Sequence, residues 1–392
     1  MIVSIKKADI KIEKDVPMKK HTSFKVGGVA DYFAKPSTIS ELIQLIDSIK
    51  KNEIPNINKM ICKNGIVSEN QIPCTIIGGG TNLLVKDNGI RGFVISLGYM
   101  KNEIQIYKNS HNDRGNITIS KLIEFDQKTD EINCEKIKNG EQVKVSASAG
   151  TNLSTLCKKT IKLGLEDLSF AAGIPGTVGG AVMMNAGTGL GTISDYLTSI
   201  DILDRDNNIK TIDKSDLIFS HRTLEFKNLD LPDSIDSKLS YKDALPLKPI
   251  ILRASFLLTR GSREKVELSW RRLIEKRKAS QPHGFPSAGC FFKNPEINNL
   301  EEKALKQLTV LSGKPKISTN QTTISAGQLI DMAGFKKKRI GDAMVSDKHA
   351  NFILNLGNAA ASEIIILKDI VKEGVFKQFG IMLSEEVIIQ GE

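Results

Sequence analysis

Two glycine-dense stretches are the places where this chain's backbone itself could do chemistry. Gly78-Gly79-Gly80-Thr81-Asn82 follows an apolar run, Thr75-Ile76-Ile77, and precedes another, Leu83-Leu84-Val85. Three glycines let the chain turn tightly and present consecutive N–H groups to an anion. Thr81 and Asn82 add side-chain donors. The stretch departs from the dinucleotide fingerprint, because Leu83 stands where the third glycine would fall. It departs from the P-loop too, since no Gly-Lys-Ser/Thr follows. Taken alone, a tight β-turn is its simpler reading. The second stretch, Gly173-Ile174-Pro175-Gly176-Thr177-Val178-Gly179-Gly180-Ala181, runs on to Met184-Asn185-Ala186-Gly187. Packing alone does not ask for glycine at 173, 176, 179, 180 and 187. So many small residues let a flat ligand or a pyrophosphate lie against the backbone.

Other short motifs flank these two in a fixed order. They are His21-Thr22-Ser23-Phe24-Lys25-Val26-Gly27-Gly28, Ser287-Ala288-Gly289-Cys290-Phe291-Phe292-Lys293-Asn294-Pro295, Ser346-Asp347-Lys348-His349-Ala350-Asn351-Phe352 and the terminal Glu386-Val387. Together with the glycine stretches they resemble the UDP-N-acetylenolpyruvoylglucosamine reductase (MurB) family of peptidoglycan synthesis, over nearly the whole chain. The resemblance implies an α+β protein: a two-subdomain, PCMH-like FAD-binding unit followed by a small α/β substrate-binding domain. It implies non-covalent FAD held by Gly78, Gly79, Gly80, Thr81 and Asn82 and by Gly173, Ile174, Pro175, Gly176, Thr177, Gly179, Gly180, Asn185, Ala186 and Gly187. It implies NADPH as hydride donor and the enolpyruvyl ether of UDP-N-acetylglucosamine as the substrate, reduced to UDP-N-acetylmuramate.

In that reaction hydride reaches the vinyl carbon C3, and a protein acid then protonates C2. Such a route needs a cation and a protonated acid aimed at the developing negative charge. The matching positions are Arg222, Glu386 and Cys290. The guanidinium of Arg222 can grip a carboxylate in a bidentate fork. Glu386 adjoins Glu385 in a segment expected to be a strand, where neighbouring carboxylates point to opposite faces. The residue before Val387 matches the family's glutamate, which selects Glu386 to protonate or stabilise the intermediate. Cys290 stands where most of the family has the serine that donates the proton. With a reference pKa of about 8.5, a thiol is mostly protonated at neutral pH and is a far better acid than an alcohol. His221 and Leu224, beside Arg222, replace the family's tyrosine and serine. Lys293, Asn294, Arg277 and Gln328 are substrate-binding candidates, while His349 reads as structural because no acid or metal partner is spaced near it.

These groups need elements to hold them. Apolar residues at helical spacing behind Ser/Thr caps predict helices over 37–50 and 151–163, and strands are expected at 75–77, 92–97 and 143–147. Further on, helices are expected at 263–278, 325–334 and 361–379, and strands at 351–355 and 384–389. The change of texture near 262 divides the chain into 1–100 and 101–262, the two FAD-binding subdomains, and 263–392, the substrate-binding domain. Residues 48–73 and 101–142, rich in Lys, Asn and Glu, read as inserts forming exposed loops or short excursions from a sheet. The polar stretch 227–247 reads as a surface linker.

Composition narrows the classes. The chain of 392 residues is 40% hydrophobic and 26% charged, ordinary for a globular protein. No run of 18 apolar residues predicts a membrane span, and the N-terminus reaches Lys6-Lys7 too early for a signal peptide, so the cytoplasm is expected. Five scattered cysteines without metal-ligand spacing read as reduced thiols, with no structural metal. A net charge of +10 favours anionic partners. With aromatics at 5% and no basic stripe among stacking residues, nucleic acid is not an expected partner, and a monomer is the expected state. Flavin oxidases and dehydrogenases of the same superfamily share the FAD-binding half but lack the Ser-Ala-Gly-Cys/Ser loop and the terminal Glu-Val. A flavin- or nucleotide-binding protein that had lost catalysis would have no need of Arg222 and Glu386.

Overall fold

The computed structural model describes residues 2–5, 8–51, 53–54, 73–111, 117–123, 137–220, 222–227, 249–296 and 323–392. The chain forms two compact units: Met1–Asp15, Asp31–Gly79 and Gly92–Lys276 make the first, and Val16–Ala30, Gly80–Arg91 and Arg277–Glu392 the second.

The first unit is built on two sheets. A five-stranded sheet takes the order Ile2–Ile5, Ala8–Pro17, Val29–Ala34, Ile90–Ser96, Cys74–Ile77, its last pair parallel. The Ile39–Lys50 helix packs on it because Leu42, Leu45, Ile46 and Ile49 fall on one face and are buried with Tyr32, Phe93 and Ile95. Thr38 caps this helix by accepting the Glu41 N–H. A six-stranded antiparallel sheet runs Ile209–Asp213, Leu197–Leu203, Ile250–Thr259, Gln142–Ser148, Ile104–His111, Ile117–Ile123. Its core joins Val143, Val145, Ala254 and Phe256 to Leu153, Leu156 and Ile161 of the Leu153–Lys162 helix and to Val178 and Val182.

The second unit carries a three-stranded sheet, Arg339–Ile340, Ala343–Val345 and Ile353–Asn355. Against it lie the Ala326–Met332 and Ala361–Phe379 helices, sharing a core with Phe24, Leu84, Phe291, Phe292 and Leu383. The short Leu83–Val85 and Ile388–Gln390 strands pair in parallel.

Three expectations change. Residues 104–111 and 117–123, expected as exposed loops or short excursions from a sheet, are two strands at the edge of the large sheet. Isoleucine alternates at 104 and 106 and again at 117, 119 and 123, a period of two that the surrounding Lys and Asn obscure. The Ile39–Lys50 helix reaches into the supposed 48–73 insert, and Ile54 is buried behind it. The terminal strand begins at Ile388, where pairing with Leu83 starts, so Glu385 and Glu386 precede it. The rest of the 48–73 and 101–142 segments, and most of 227–247, lie outside the described residues.

Candidate active site

In the first unit the two glycine stretches meet. The Cys74–Ile77 strand delivers Gly78 to the start of the Val178–Met183 helix, where any Cβ at 78 would collide with the Thr177 hydroxyl oxygen. That oxygen is already engaged as the helix cap, accepting the Gly180 N–H at 3.3 Å. Ser96 Oγ donates to the Gly78 carbonyl at 3.3 Å. The second stretch is sewn down by Val178 N–H to Thr151 O (2.8 Å), Gly179 N–H to Ala149 O (2.9 Å) and Leu153 N–H to Gly176 O (2.9 Å). Gly79, Gly173, Pro175 and Gly180 remain exposed. Bare glycine faces beside a helix start admit a planar ring and a diphosphate with no Cβ in the way, and the positive end of the helix favours negative charge. The residues present therefore fit FAD. Gly78, Gly79 and Thr177 through Gly180 suit the diphosphate, and Gly173 through Gly176 suit the flat portion. Ile174 and Ala186 instead pack against the unit's core.

Arg222 occupies a strained turn. Ser220 pairs with Thr223 across the Leu217–Ser220 and Thr223–Phe226 hairpin, leaving a two-residue turn in which Arg222 has φ 63°. Such turns favour glycine or asparagine, and holding another residue in the left-handed region costs about 1 kcal/mol or more. Arg222 Nη2 donates to the Gly187 carbonyl at 3.4 Å. Asn185, itself at φ 38°, donates from Nδ2 to Ser220 O (3.4 Å) and accepts the Ser194 N–H (3.2 Å). Asn185, Gly187 and Arg222 thus form one constellation. Leu224 is buried in the core, and His221 lies outside the described residues.

In the second unit Cys290 and Glu386 are set by one extended segment. Cys290 bridges Phe352, and the Phe291 N–H donates to Asn351 O at 2.7 Å. Asn351 also clamps Phe292, its Oδ1 accepting the Phe292 N–H (2.9 Å) and its Nδ2 donating to Phe292 O (2.8 Å). On the other edge, Glu386 N–H donates to Phe291 O at 2.8 Å and Lys293 N–H to Ser384 O at 2.8 Å. Burial pulls the Arg277 pKa below its ordinary value, while a negative charge on Cys290 would push it up. Arg277 also donates to Gln281 Oε1 at 3.4 Å. Asn294 Oδ1 accepts the Ala326 N–H at 3.0 Å, and Gln328 lies exposed in the first turn of the same helix, its N–H held by Ser325 Oγ. Lys293 is half-buried.

The end of the first glycine stretch belongs to this unit. Gly80 O accepts the Ser23 N–H at 3.0 Å, and Thr81 O accepts Ser23 Oγ at 3.3 Å. Asn82 Nδ2 donates to Glu386 O at 2.9 Å, so its amide fixes the backbone of the candidate glutamate. Ser23 belongs to a motif visible in the sequence, and its role as a buttress for Gly80 and Thr81 was not read from it. His349 accepts the Asn351 N–H on Nδ1 at 3.3 Å and meets Phe352 edge-on at 4.9 Å. Burial lowers its pKa, as for a neutral structural histidine. Cys157 is buried too, and burial pushes its thiol up to about 12.

Residues 281–390 match the family model for the UDP-N-acetylenolpyruvoylglucosamine reductase C-terminal domain, and residues 127–213 match an FAD binding domain. The chain is an FAD-dependent α+β oxidoreductase with a C-terminal domain of its own. The curated UDP-N-acetylenolpyruvoylglucosamine reductase of Desulfosudis oleivorans is 34% identical over 97% of this chain and 95% of its own. That of Agathobacter rectalis is also 34% identical, over 97% and 94%. The crystal structure of the Thermus caldophilus enzyme superposes with a TM-score of 0.61 at 26% identity, covering 97% of this chain and 100% of that one. The chain belongs to the UDP-N-acetylenolpyruvoylglucosamine reductase family.

Proposed function

We propose that this protein reduces the enolpyruvyl ether of UDP-N-acetylglucosamine to UDP-N-acetylmuramate, with NADPH as donor, and that Arg222, Cys290 and Glu386 are its catalytic residues. A hydride and a proton add across the vinyl double bond, and two electrons leave NADPH as NADP+. FAD, when bound, supplies the carrier that accepts hydride from one substrate and passes it to the other. The observation that carries the reading is the Cys290–Lys293 segment. It places the Cys290 thiol next to the Phe291 carbonyl, which accepts the Glu386 N–H at 2.8 Å and so fixes the backbone of the candidate glutamate.

Within that arrangement Cys290 gives its proton to C2, and the cationic Arg277 steadies the thiolate left behind. Glu386 supports the same intermediate. Glu385 is excluded from that role because its carboxylate is taken by Lys368 and Lys372. Arg222 grips the substrate carboxylate, where negative charge grows during the reaction. Arg277, Lys293, Asn294 and Gln328 bind the UDP-sugar. Both substrates are nucleotide metabolites of the cell interior, which supports the cytoplasm as the site of action. Among the described residues no helix is long and apolar enough to cross a membrane.

The test is stoichiometry in the purified, FAD-loaded enzyme. One UDP-N-acetylmuramate should form for each NADPH consumed. Replacing Cys290 by Ala should spare NADPH-driven bleaching of the flavin and cut sugar turnover by about 100-fold or more. Failure of the native enzyme to form the lactyl sugar defeats the substrate assignment, and full turnover in the variant removes Cys290 from the proton donor's role.

A further inference from the structure

The Ala361–Phe379 helix turns two cations onto the carboxylate next to Glu386. Lys368 Nζ lies 3.0 Å and Lys372 Nζ 2.9 Å from the same Glu385 oxygen. Lys368 is only 9% exposed, and among the described residues it is the single buried lysine. It interrupts the apolar stripe of Ile364, Leu367, Val371 and Val375 that seats the helix on its core. Stability does not explain a charge there. Buried ion pairs replaced by well-packed apolar groups commonly leave a protein as stable or more so. Lys368 also contacts Asp369 at 2.6 Å, so it is paired on both sides.

What the pairing does to the backbone is more specific. Glu385 bridges Phe292, and the next residue's N–H is held by the Phe291 carbonyl. Pinning the Glu385 side chain to the helix restrains the backbone that presents Glu386, while Asn82 holds the Glu386 carbonyl at 2.9 Å. Burial opposes charge on both partners, yet hydrogen bonding from the two lysines draws the Glu385 pKa down. Hydrogen bonding to Asp369 and Glu385 likewise carries the Lys368 pKa up. Both shifts favour the charged forms of Glu385 and Lys368.

We propose that Lys368 and Lys372 are positioning residues for the sugar half-reaction: by clamping Glu385 they restrain the backbone that presents Glu386. The inference rests on the function proposed above. The FAD-loaded enzyme separates the two, because native turnover tests the function and variant half-reactions test the clamp. Glu385→Gln and Lys372→Met, which leave buried Lys368 with its Asp369 contact, should slow sugar-driven reoxidation of the flavin between about 10- and 100-fold. NADPH-driven reduction should change less than about twofold, and Lys372→Arg should restore the sugar rate. A fall in thermal midpoint with an unchanged sugar rate would make the clamp merely structural and overturn the inference. An equal loss in both half-reactions, or no rescue by arginine, would overturn it too.

Discussion

Cys290 carries the sharpest chemical consequence. A thiol and a hydroxyl share a position and a proton to give, but only the thiol reacts with alkylating agents at neutral pH. Cys290→Ser should turn over within about tenfold of the native rate and lose its sensitivity to iodoacetamide. The buried Cys157, pushed up to about 12, should stay unmodified in the native fold. Peptide mass mapping after alkylation checks both statements, and inactivation that persists in the serine variant contradicts them. The candidate residues were legible in the sequence only as motif positions. Arg222 is named by the sequence, but its left-handed backbone and its bond to Gly187 are not. A two-residue hairpin turn reads from sequence when it contains Gly or Asn, and here neither occupies position 222.

The elements around the site show where local signals suffice. Thr38, Thr177 and Ser325 cap their helices with their own hydroxyls, and of the three helices the sequence announces those behind Thr38 and Ser325 but not the short Val178–Met183 one. The Ala361–Phe379 helix follows Ala360, which has nothing to cap with. Asp87, far away in sequence, accepts the Ala361 N–H at 2.7 Å and the Ser362 N–H at 2.8 Å instead. No local pattern reveals such a cap, and the same holds for Ser23 on Gly80 or Asn82 on Glu386. Burial works against the Asp87 charge, but hydrogen bonds from Ser362 and Ala361 outweigh it and hold its pKa below the ordinary carboxylate value. A depressed native pKa stabilises above the unfolded value, and that gain is lost as pH falls through the native one. Asp87→Ala should therefore lower the thermal midpoint at pH 7, with the difference from native closing below the carboxylate range. A difference constant down to acidic pH would contradict this. Gly78 makes a second test at this level. Gly78→Ala forces a methyl into the Thr177 hydroxyl and disturbs the cap of the Val178–Met183 helix. The purified variant should carry much less FAD, by absorbance, than the native protein. Full flavin content would show that the junction of the two glycine stretches does not hold the cofactor.

Taken whole, the chain divides the work. The first unit holds Gly78, Gly79, the Gly173–Gly187 stretch and Arg222, and the second holds Gly80 to Asn82, Cys290, Glu386 and the lysines paired with Glu385. The α+β class follows from the family resemblance, while periodicity marks the longer helices and only some strands, Gln142–Ser148 among them, and leaves Ala8–Pro17, Leu197–Leu203 and Ile250–Thr259 unmarked. It does not show the pairing of Ile104–His111 and Ile117–Ile123, because charged and amide residues dilute the alternation that marks a strand. Nor does periodicity show that Val16–Ala30 and Gly80–Arg91 belong with the C-terminal part, since that grouping arises only from contacts distant in sequence. The most direct measurement is an anaerobic visible spectrum of the FAD-loaded protein, taken as NADPH and then the enolpyruvyl ether of UDP-N-acetylglucosamine are added. The yellow colour should bleach with NADPH and return with the sugar, one equivalent restoring it. A flavin that bleaches and stays bleached with the sugar present would contradict the proposed reaction.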